Sequence, residues 1–206
     1  MTRGSLLLDL TKGGHPMDIL CFGDSNTYGF DPRSYLGGRY PASVRWTGLL
    51  AAKTGWLIRE AGQNGREIPA HPAELAGLAR QVQPGQTVVL MLGTNDLLQH
   101  PWWTAEEVAA RMACCLDVLR PACPVLLVAP PPMCPGAWVQ EPALLQESAR
   151  LSACYASLAA KCGADFADAG AWDVPLLFDG VHFSPEGHRA FAAGILPVLR
   201  RMEAGQ

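Results

Sequence analysis

The chain has 206 residues, of which 49% are hydrophobic and 17% charged, with a formal net charge of −3. That length fits one domain, or two only if both are small; the hydrophobic fraction suffices for a buried core, and the charged fraction is low for a disordered chain. The slight acidity, with no basic run, argues against nucleic acid as a partner, and no apolar run reaches the length of a membrane span.

Residues 1–16 contain Ser5-Leu-Leu-Leu-Asp9-Leu, in which Asp9 breaks the apolar stretch and no small-residue cleavage site follows. They are expected to be an N-terminal extension outside the core, with the domain running from 17 to 206. The first strand is expected over 18–22 (Asp-Ile-Leu-Cys-Phe), stopping at Gly23-Asp24-Ser25. A helical pattern over 43–54 carries Val44, Leu49 and Leu50 and ends at Gly55. The second strand, 56–60, leads to Gly62-Gln-Asn-Gly65-Arg66, and Pro72 opens a helix over 72–82. The third strand, 87–92, ends at Gly93-Thr94-Asn95-Asp96. Thr104-Ala-Glu-Glu107 has the form of a capping box opening a helix to about Leu119. The fourth strand, 125–129, runs into the stiff loop Pro130-Pro131-Pro132. A long Ala/Leu helix follows from Pro142 to Cys162 and stops at Gly163, before a fifth strand at 164–167. Asp179-Gly-Val-His182 precedes a closing helix from Pro185 to Arg201, with Pro197 as a candidate kink.

The third and fourth strands are continuous apolar runs, as expected where a parallel sheet is covered on both faces. Strand and helix alternate throughout, which predicts an α/β domain of three layers with right-handed crossovers. Open parallel sheets bind ligands beyond the carboxyl ends of their strands. Ser25, Gly65 and Asn95 follow strands one, two and three, and Asp179 and His182 follow strand five. All five therefore fall at one edge of the sheet.

A serine hydroxyl is a poor nucleophile until a base takes its proton. His182 could take it, and Asp179, three residues earlier, could hold the imidazole in the right tautomer. Asn95 offers a side-chain N–H and Gly65 an unshielded backbone N–H; with the Ser25 N–H they could form an oxyanion hole. Each segment alone also reads as an ordinary turn, because Gly, Asp, Ser and Asn favour turns. The four together, in this order and after these strands, are not explained that way.

These segments give the chain a resemblance to the GDSL/SGNH hydrolase superfamily. Gly23-Asp-Ser-Asn-Thr-Tyr-Gly29 is similar to its first block, Gly62-Gln-Asn-Gly-Arg66 to its second, and Gly93-Thr-Asn-Asp96 to its third. Asp179-Gly-Val-His-Phe-Ser-Pro-Glu-Gly-His188 is similar to its last. The resemblance spans about Met17 to Arg201. It implies a flavodoxin-like sheet of five parallel strands with helices on both faces, and ester or thioester hydrolysis without a cofactor. It implies Ser25 as nucleophile, His182 as base and Asp179 as its orienter, with oxyanion donors from Ser25, Gly65 and Asn95. Arg39-Tyr-Pro41, Arg45-Trp-Thr-Gly-Leu49, Gln63-Asn-Gly-Arg66 and Val128-Ala-Pro-Pro-Pro132 resemble the bacterial arylesterase and acetyl-esterase branch most. Glu67 departs from that branch, which usually has threonine there.

Phe30, Trp102, Trp103 and Phe183 are expected to wall the substrate pocket; Tyr40, Trp46 and Trp138 also lie near the predicted loops. Any one of these rings taken alone fits core or subunit packing better than substrate contact. His188 in the closing helix is expected to be structural, and Asp24 and Asp96 to hold loops. His71, His100 and His182 share no ligand spacing, so no metal is expected, and neither a G-x-G-x-x-G nor a P-loop announces a nucleotide. Seven cysteines without paired C-x-x-C motifs read as free thiols in a reducing cytoplasm. The expected function is hydrolysis of short-chain esters, acetyl or aryl esters or acetylated carbohydrate. A thioesterase or lysophospholipase with a longer acyl slot is the rival of the same chemistry, and a binding module on the same fold the rival of another class. The expected partner is a small-molecule ester, with neither nucleic acid nor membrane; a homo-oligomer is compatible with the six tryptophans.

Overall fold

The computed structural model describes residues 16–34 and 36–205. Five strands, β1 (Asp18–Gly23), β2 (Leu57–Gly62), β3 (Thr87–Met91), β4 (Val125–Ala129) and β5 (Asp165–Asp168), form one parallel sheet in the order β2-β1-β3-β4-β5. That order is the flavodoxin-like one, with its switch point between β1 and β3. The expectation about residues 1–16 lies, apart from Pro16, outside the described residues.

Alternate residues of each strand feed opposite sides of the sheet, as the two-residue period requires. Ile19, Cys21, Val89, Met91, Leu126 and Val128 pack in one apolar layer with side chains of α2 (Trp46–Thr54) and α7 (Pro185–Ala204). Leu20, Phe22, Val88, Leu90, Val125 and Leu127 pack in the other, with α3 (Pro72–Ala79), α5 (Ala105–Leu119) and α6 (Pro142–Cys162). Burial on both faces is why β3 and β4 read as unbroken apolar runs. Burying each such Val, Leu or Ile side chain contributes about 1.5–3 kcal/mol relative to leaving it in water.

The helices follow their local signals. The Thr104 hydroxyl accepts from the Glu107 amide at 3.3 Å while Glu107 Oε2 accepts from the Thr104 amide at 2.7 Å, closing the capping box at α5. The closing helix runs unbroken through Pro197, because Ile195, Leu196 and Leu199 are buried against the sheet on either side of it. The second helix begins at Trp46 rather than at 43, since the Val44 and Arg45 amides bond back to the Pro41 carbonyl in a turn. Its buried face is Trp46, Thr47 and Leu50, and Val44 and Leu49 are only half-buried. β2 reaches Gly62 because its pairing with β1 continues to the register Gly23–Gly62.

Two short helices, α1 (Ser25–Tyr28) and α4 (Thr94–Gln99), and a 3-10 turn at Ala169–Trp172 occupy stretches expected to be loops. Both short helices begin at the carboxyl end of a strand. The segment between α1 and α2 is clamped onto the edge strand by Glu60. Its carboxylate receives Arg45 Nε and Nη2 at 2.9 Å each and Arg39 Nη2 at 2.6 Å, and it also bonds the Thr47 hydroxyl. The arginines of the Arg39-Tyr-Pro41 and Arg45-Trp stretches thus fasten the segment that carries Phe30. No helix among the described residues is long and apolar enough to cross a membrane.

Candidate active site

β1 ends at Gly23, and Asp24 caps the short helix that starts at Ser25: its Oδ1 accepts from the Asn26 amide at 2.9 Å. Burial pushes the Asp24 carboxyl up to about 6. The first turn of a helix leaves its amides without intrahelical acceptors, so the Ser25 N–H is free to serve a ligand. Ser25 itself is buried.

The Asp179–His182 segment approaches from the far end of the chain. Gly180, at φ +83°, lets it turn, and a Cβ there would lie 2.1 Å from the Cys134 carbonyl oxygen. Asp179 Oδ1 accepts from the amides of Val181 at 2.9 Å and His182 at 3.0 Å, while Oδ2 lies 2.7 Å from His182 Nδ1. Burial raises the Asp179 carboxyl, but the bonds from the His182 side chain and the two amides outweigh it and hold the group below the usual carboxylate range. An ionised Asp179 can only accept, so Nδ1 carries the proton and donates. That leaves the Nε2 lone pair for Ser25 Oγ, 3.0 Å away. Ser25, His182 and Asp179 are 5%, 3% and 0% exposed, so little water competes for this chain of bonds.

Asn26 joins the two ends of the protein, and sequence reasoning missed it. Its Nδ2 donates to the Val181 carbonyl at 3.1 Å and its Oδ1 accepts from the Phe183 amide at 2.9 Å. The two bonds bracket His182 and fix it relative to Ser25, next to Asn26 in the chain. The only signal was its place in the Gly-Asp-Ser-Asn block; an asparagine after a serine otherwise reads as a turn residue.

Gly65 lies on the loop after β2 with φ +71°, a conformation that suits glycine. This loop is tied to β1 through Gly23, whose carbonyl accepts from the Gln63 amide at 3.2 Å and from Arg66 Nη1 at 2.8 Å. It is tied to α4 by Asn95 Nδ2 to the Arg66 carbonyl at 3.1 Å and Gln99 Nε2 to the Gly65 carbonyl at 3.2 Å. Asp96 accepts from the Ile68 amide at 3.1 Å and lies 3.2 Å from Arg111 Nε; burial pushes its carboxyl up to about 6. One Asn95 N–H is therefore engaged with the loop that carries Gly65, and the amide's second N–H stays available.

The aromatic residues divide differently from expectation. Phe30 does lie at the site, its ring centroid 4.9 Å from that of His182. Phe183 does not: it is fully buried in the core against Phe191 and His188, because the strand-like alternation after His182 turns it inward. Trp102 is 73% exposed, with its ring steeply inclined to that of His100. Trp103 lies on His100 in a neighbouring cleft. The second ring at His182 is Trp138, whose centroid is 5.1 Å away. The loop after β4 carries it there, with the Trp138 amide donating to the Asp179 carbonyl at 3.1 Å.

His188 is buried behind the site, where its Nδ1 accepts from the Trp46 amide at 3.4 Å. Burial, reinforced by the Arg45 charge, pushes its imidazole down from 6.5 to about 4. The unfolded chain takes up this proton first, so the His188 contribution to stability is full above 6.5 and drains as pH falls towards 4. Asp24 and Asp96 act with the opposite sign, and a His188→Gln substitution leaves them in place. The melting-temperature gap between the wild type and His188→Gln should therefore narrow as the pH is lowered through that window. A constant gap in calorimetry would show that His188 titrates alike in both states.

Among the described residues no group of three His, Cys, Asp or Glu side chains is placed to hold a metal ion. A model of the GDSL-like lipase/acylhydrolase family matches residues 21–190. A curated cattle (Bos taurus) protein, isoamyl acetate-hydrolyzing esterase 1 homolog, is 27% identical over 95% of this chain and 87% of its own. Among solved structures, Est24, a carbohydrate acetylesterase from Sinorhizobium meliloti, is 29% identical with a TM-score of 0.78, covering 90% of this chain and 99% of that one. The aryl esterase of M. smegmatis matches with the same identity, TM-score and coverage.

Proposed function

This chain belongs to the GDSL-like lipase/acylhydrolase family, as a serine ester hydrolase, and on that premise we propose that it cleaves short-chain carboxylic esters through an acyl-enzyme on Ser25. The observation that carries the reading is the unbroken hydrogen-bonded line from Ser25 Oγ through His182 to Asp179.

In this mechanism His182 Nε2 takes the Ser25 hydroxyl proton as Oγ adds to the ester carbonyl carbon. Asp179 stabilises the imidazolium without itself taking the proton. The carbonyl oxygen becomes an oxyanion, held by the Ser25 and Gly65 amides and the second N–H of Asn95. Collapse breaks the bond to the alcohol oxygen, which leaves with the proton from His182. Water, deprotonated by His182, then attacks the acyl-enzyme; the acid departs and Ser25 regains its proton. The loop that bears Gly65 is braced before substrate arrives, so little reorganisation is needed when the oxyanion forms. Acetyl and aryl esters, among them acetylated carbohydrate, are the proposed substrates, and the structural relatives include an aryl esterase and a carbohydrate acetylesterase. The seven cysteines are all unpaired, which supports work in a reducing cytoplasm.

The acyl group is short in this reading because Phe30 and Trp138 flank His182 and occupy volume that a fatty tail would need. An open apolar slot would gain about 0.8 kcal/mol for each buried methylene, and kcat/KM would climb with chain length. A series of p-nitrophenyl esters at fixed pH, each below its micelle concentration, is expected to show good turnover from acetate to butyrate and poor turnover at octanoate. An optimum at eight carbons or more would replace this substrate range with that of a thioesterase or lysophospholipase.

A further inference from the structure

Asn95 can serve an oxyanion only if the short helix that carries it starts in a fixed direction. One Asn95 N–H goes to the Arg66 carbonyl, Gln99 bonds the Gly65 carbonyl and Asp96 the Ile68 amide, so these ties join α4 to another loop. The tie to a long element comes from α6, which has 21 residues. Tyr155 of that helix is fully buried and donates its hydroxyl to the Leu92 carbonyl at 3.0 Å. β3 ends at Met91, so Leu92 has left the strand, and it too is buried. A carbonyl there that lost its donor would bear the full cost of desolvation. Burial raises the Tyr155 phenol well above its usual range, so the donor keeps its proton.

The next residue is equally confined. Gly93 has φ +121°, and a Cβ on it would lie 2.6 Å from the Tyr155 hydroxyl oxygen, 3.3 Å from Val108 Cγ1 and 3.5 Å from Leu151 Cδ1. The Leu92–Gly93 peptide is thus held at its oxygen by the hydroxyl, and the Gly93 Cα is seated against side chains of α5 and α6. Gly93 caps α4, and its carbonyl accepts from the Leu97 amide at 3.2 Å in the opening turn of that helix. A twist of this one peptide would therefore swing the whole short helix, and Asn95 with it. A misplacement of about 1 Å at a catalytic group can cost on the order of 10²-fold in rate. We infer that Tyr155 is a positioning residue for the reaction: by holding the Leu92 carbonyl it sets the direction of α4 and so aims the second Asn95 N–H at the oxyanion. The inference rests on the esterase reading above and adds to it the element that holds the donor.

Hydrolysis of p-nitrophenyl acetate decides it, with kcat taken per Ser25 titrated by a fluorophosphonate and measured well below the melting transition of each variant. Tyr155→Phe keeps the ring that fills the core and removes only the bond. It is expected to lower kcat about tenfold and to leave KM within about twofold, as loss of an interaction that acts in the transition state implies. Asn95→Ala should lower kcat by about 10²–10³. Adding Tyr155→Phe to it should cost nothing further, because no donor remains to be aimed. A hydroxyl with a merely structural role would cost the same with Asn95 or without it. Equal penalties in both backgrounds, an unchanged kcat in folded Tyr155→Phe, or an effect confined to KM overturns the inference. Asn95→Ala at wild-type kcat overturns it too and leaves the acyl-enzyme on Ser25 standing, whereas a wild type that cleaves no ester ends both. A measurement without variants decides the case in which Tyr155→Phe does not fold: crystal structures of the wild type, free and phosphonylated at Ser25. Leu92 and Asn95 should superpose to within about 0.5 Å between the two. A larger swing of Asn95 onto the phosphonyl oxygen would show that it is not held in advance, and overturns the inference.

Discussion

Ser25→Ala is expected to abolish ester hydrolysis and to leave the melting transition nearly in place. The substitution removes one oxygen, whose hydrogen bond runs to His182 Nε2. The structural ties around it are made by its neighbours, through the Asp24 cap and the two Asn26 bonds that bracket His182. Chemistry therefore loses its nucleophile and the fold loses little. A fall in kcat on the order of 10⁴–10⁶ is expected, with what remains coming from the oxyanion donors and from binding. A serine-directed fluorophosphonate should label the wild type at residue 25 and leave the variant unlabelled. A folded variant with near-wild-type turnover would remove Ser25 from the mechanism, and a wild type that neither hydrolyses esters nor takes the label would favour a binding module.

His182→Ala is expected to lose about as much activity as Ser25→Ala, and the double variant hardly more. The reason is that His182 is the base hydrogen-bonded to the Ser25 hydroxyl, so either loss disables the same step. Asp179→Asn should be milder, at roughly 10⁴ in kcat, since it spoils the tautomer and the stabilisation of the imidazolium but leaves both reacting groups. Unlike the serine, His182 also packs against the rings of Phe30 and Trp138, so His182→Ala should lower the melting temperature as well. Comparing single and double variants in kcat separates the chemistry from that packing loss. Fully additive losses, or a wild-type kcat/KM independent of pH, would show that Ser25 and His182 do not act as one unit.

The fold was largely legible because its signals are local. β3 and β4 announce burial on both faces by unbroken apolar runs, and α5 and α6 announce their starts by a capping box and a proline. Strand ends followed by Gly, Asp, Ser or Asn put five candidate residues at one edge of the sheet before any contact was known. The boundaries that moved were set elsewhere: β2 reaches Gly62 through its register with β1, and α2 starts late because the turn at Pro41 holds Val44 and Arg45. The short helices at Ser25 and Thr94 were not legible, since four to six residues carry too little periodicity to be told from a turn.

The sequence by itself determined the chemistry available here: a serine, a histidine and an aspartate with suitable spacing, amide donors after strands two and three, and strands that bring them to one edge. Only the tertiary structure decided which neighbours serve them. It turned Phe183 into the core and brought Trp138 to His182, and it made Asn26 a brace across 155 and 157 positions of chain to Val181 and Phe183. It also set Glu67 against His100 in a cleft beside Gly65. The physical reason is one of range. Periodicity, capping and turn chemistry act over a few residues and are written in consecutive letters, whereas the contacts of a loop side chain depend on how distant segments pack, which no short stretch of sequence contains.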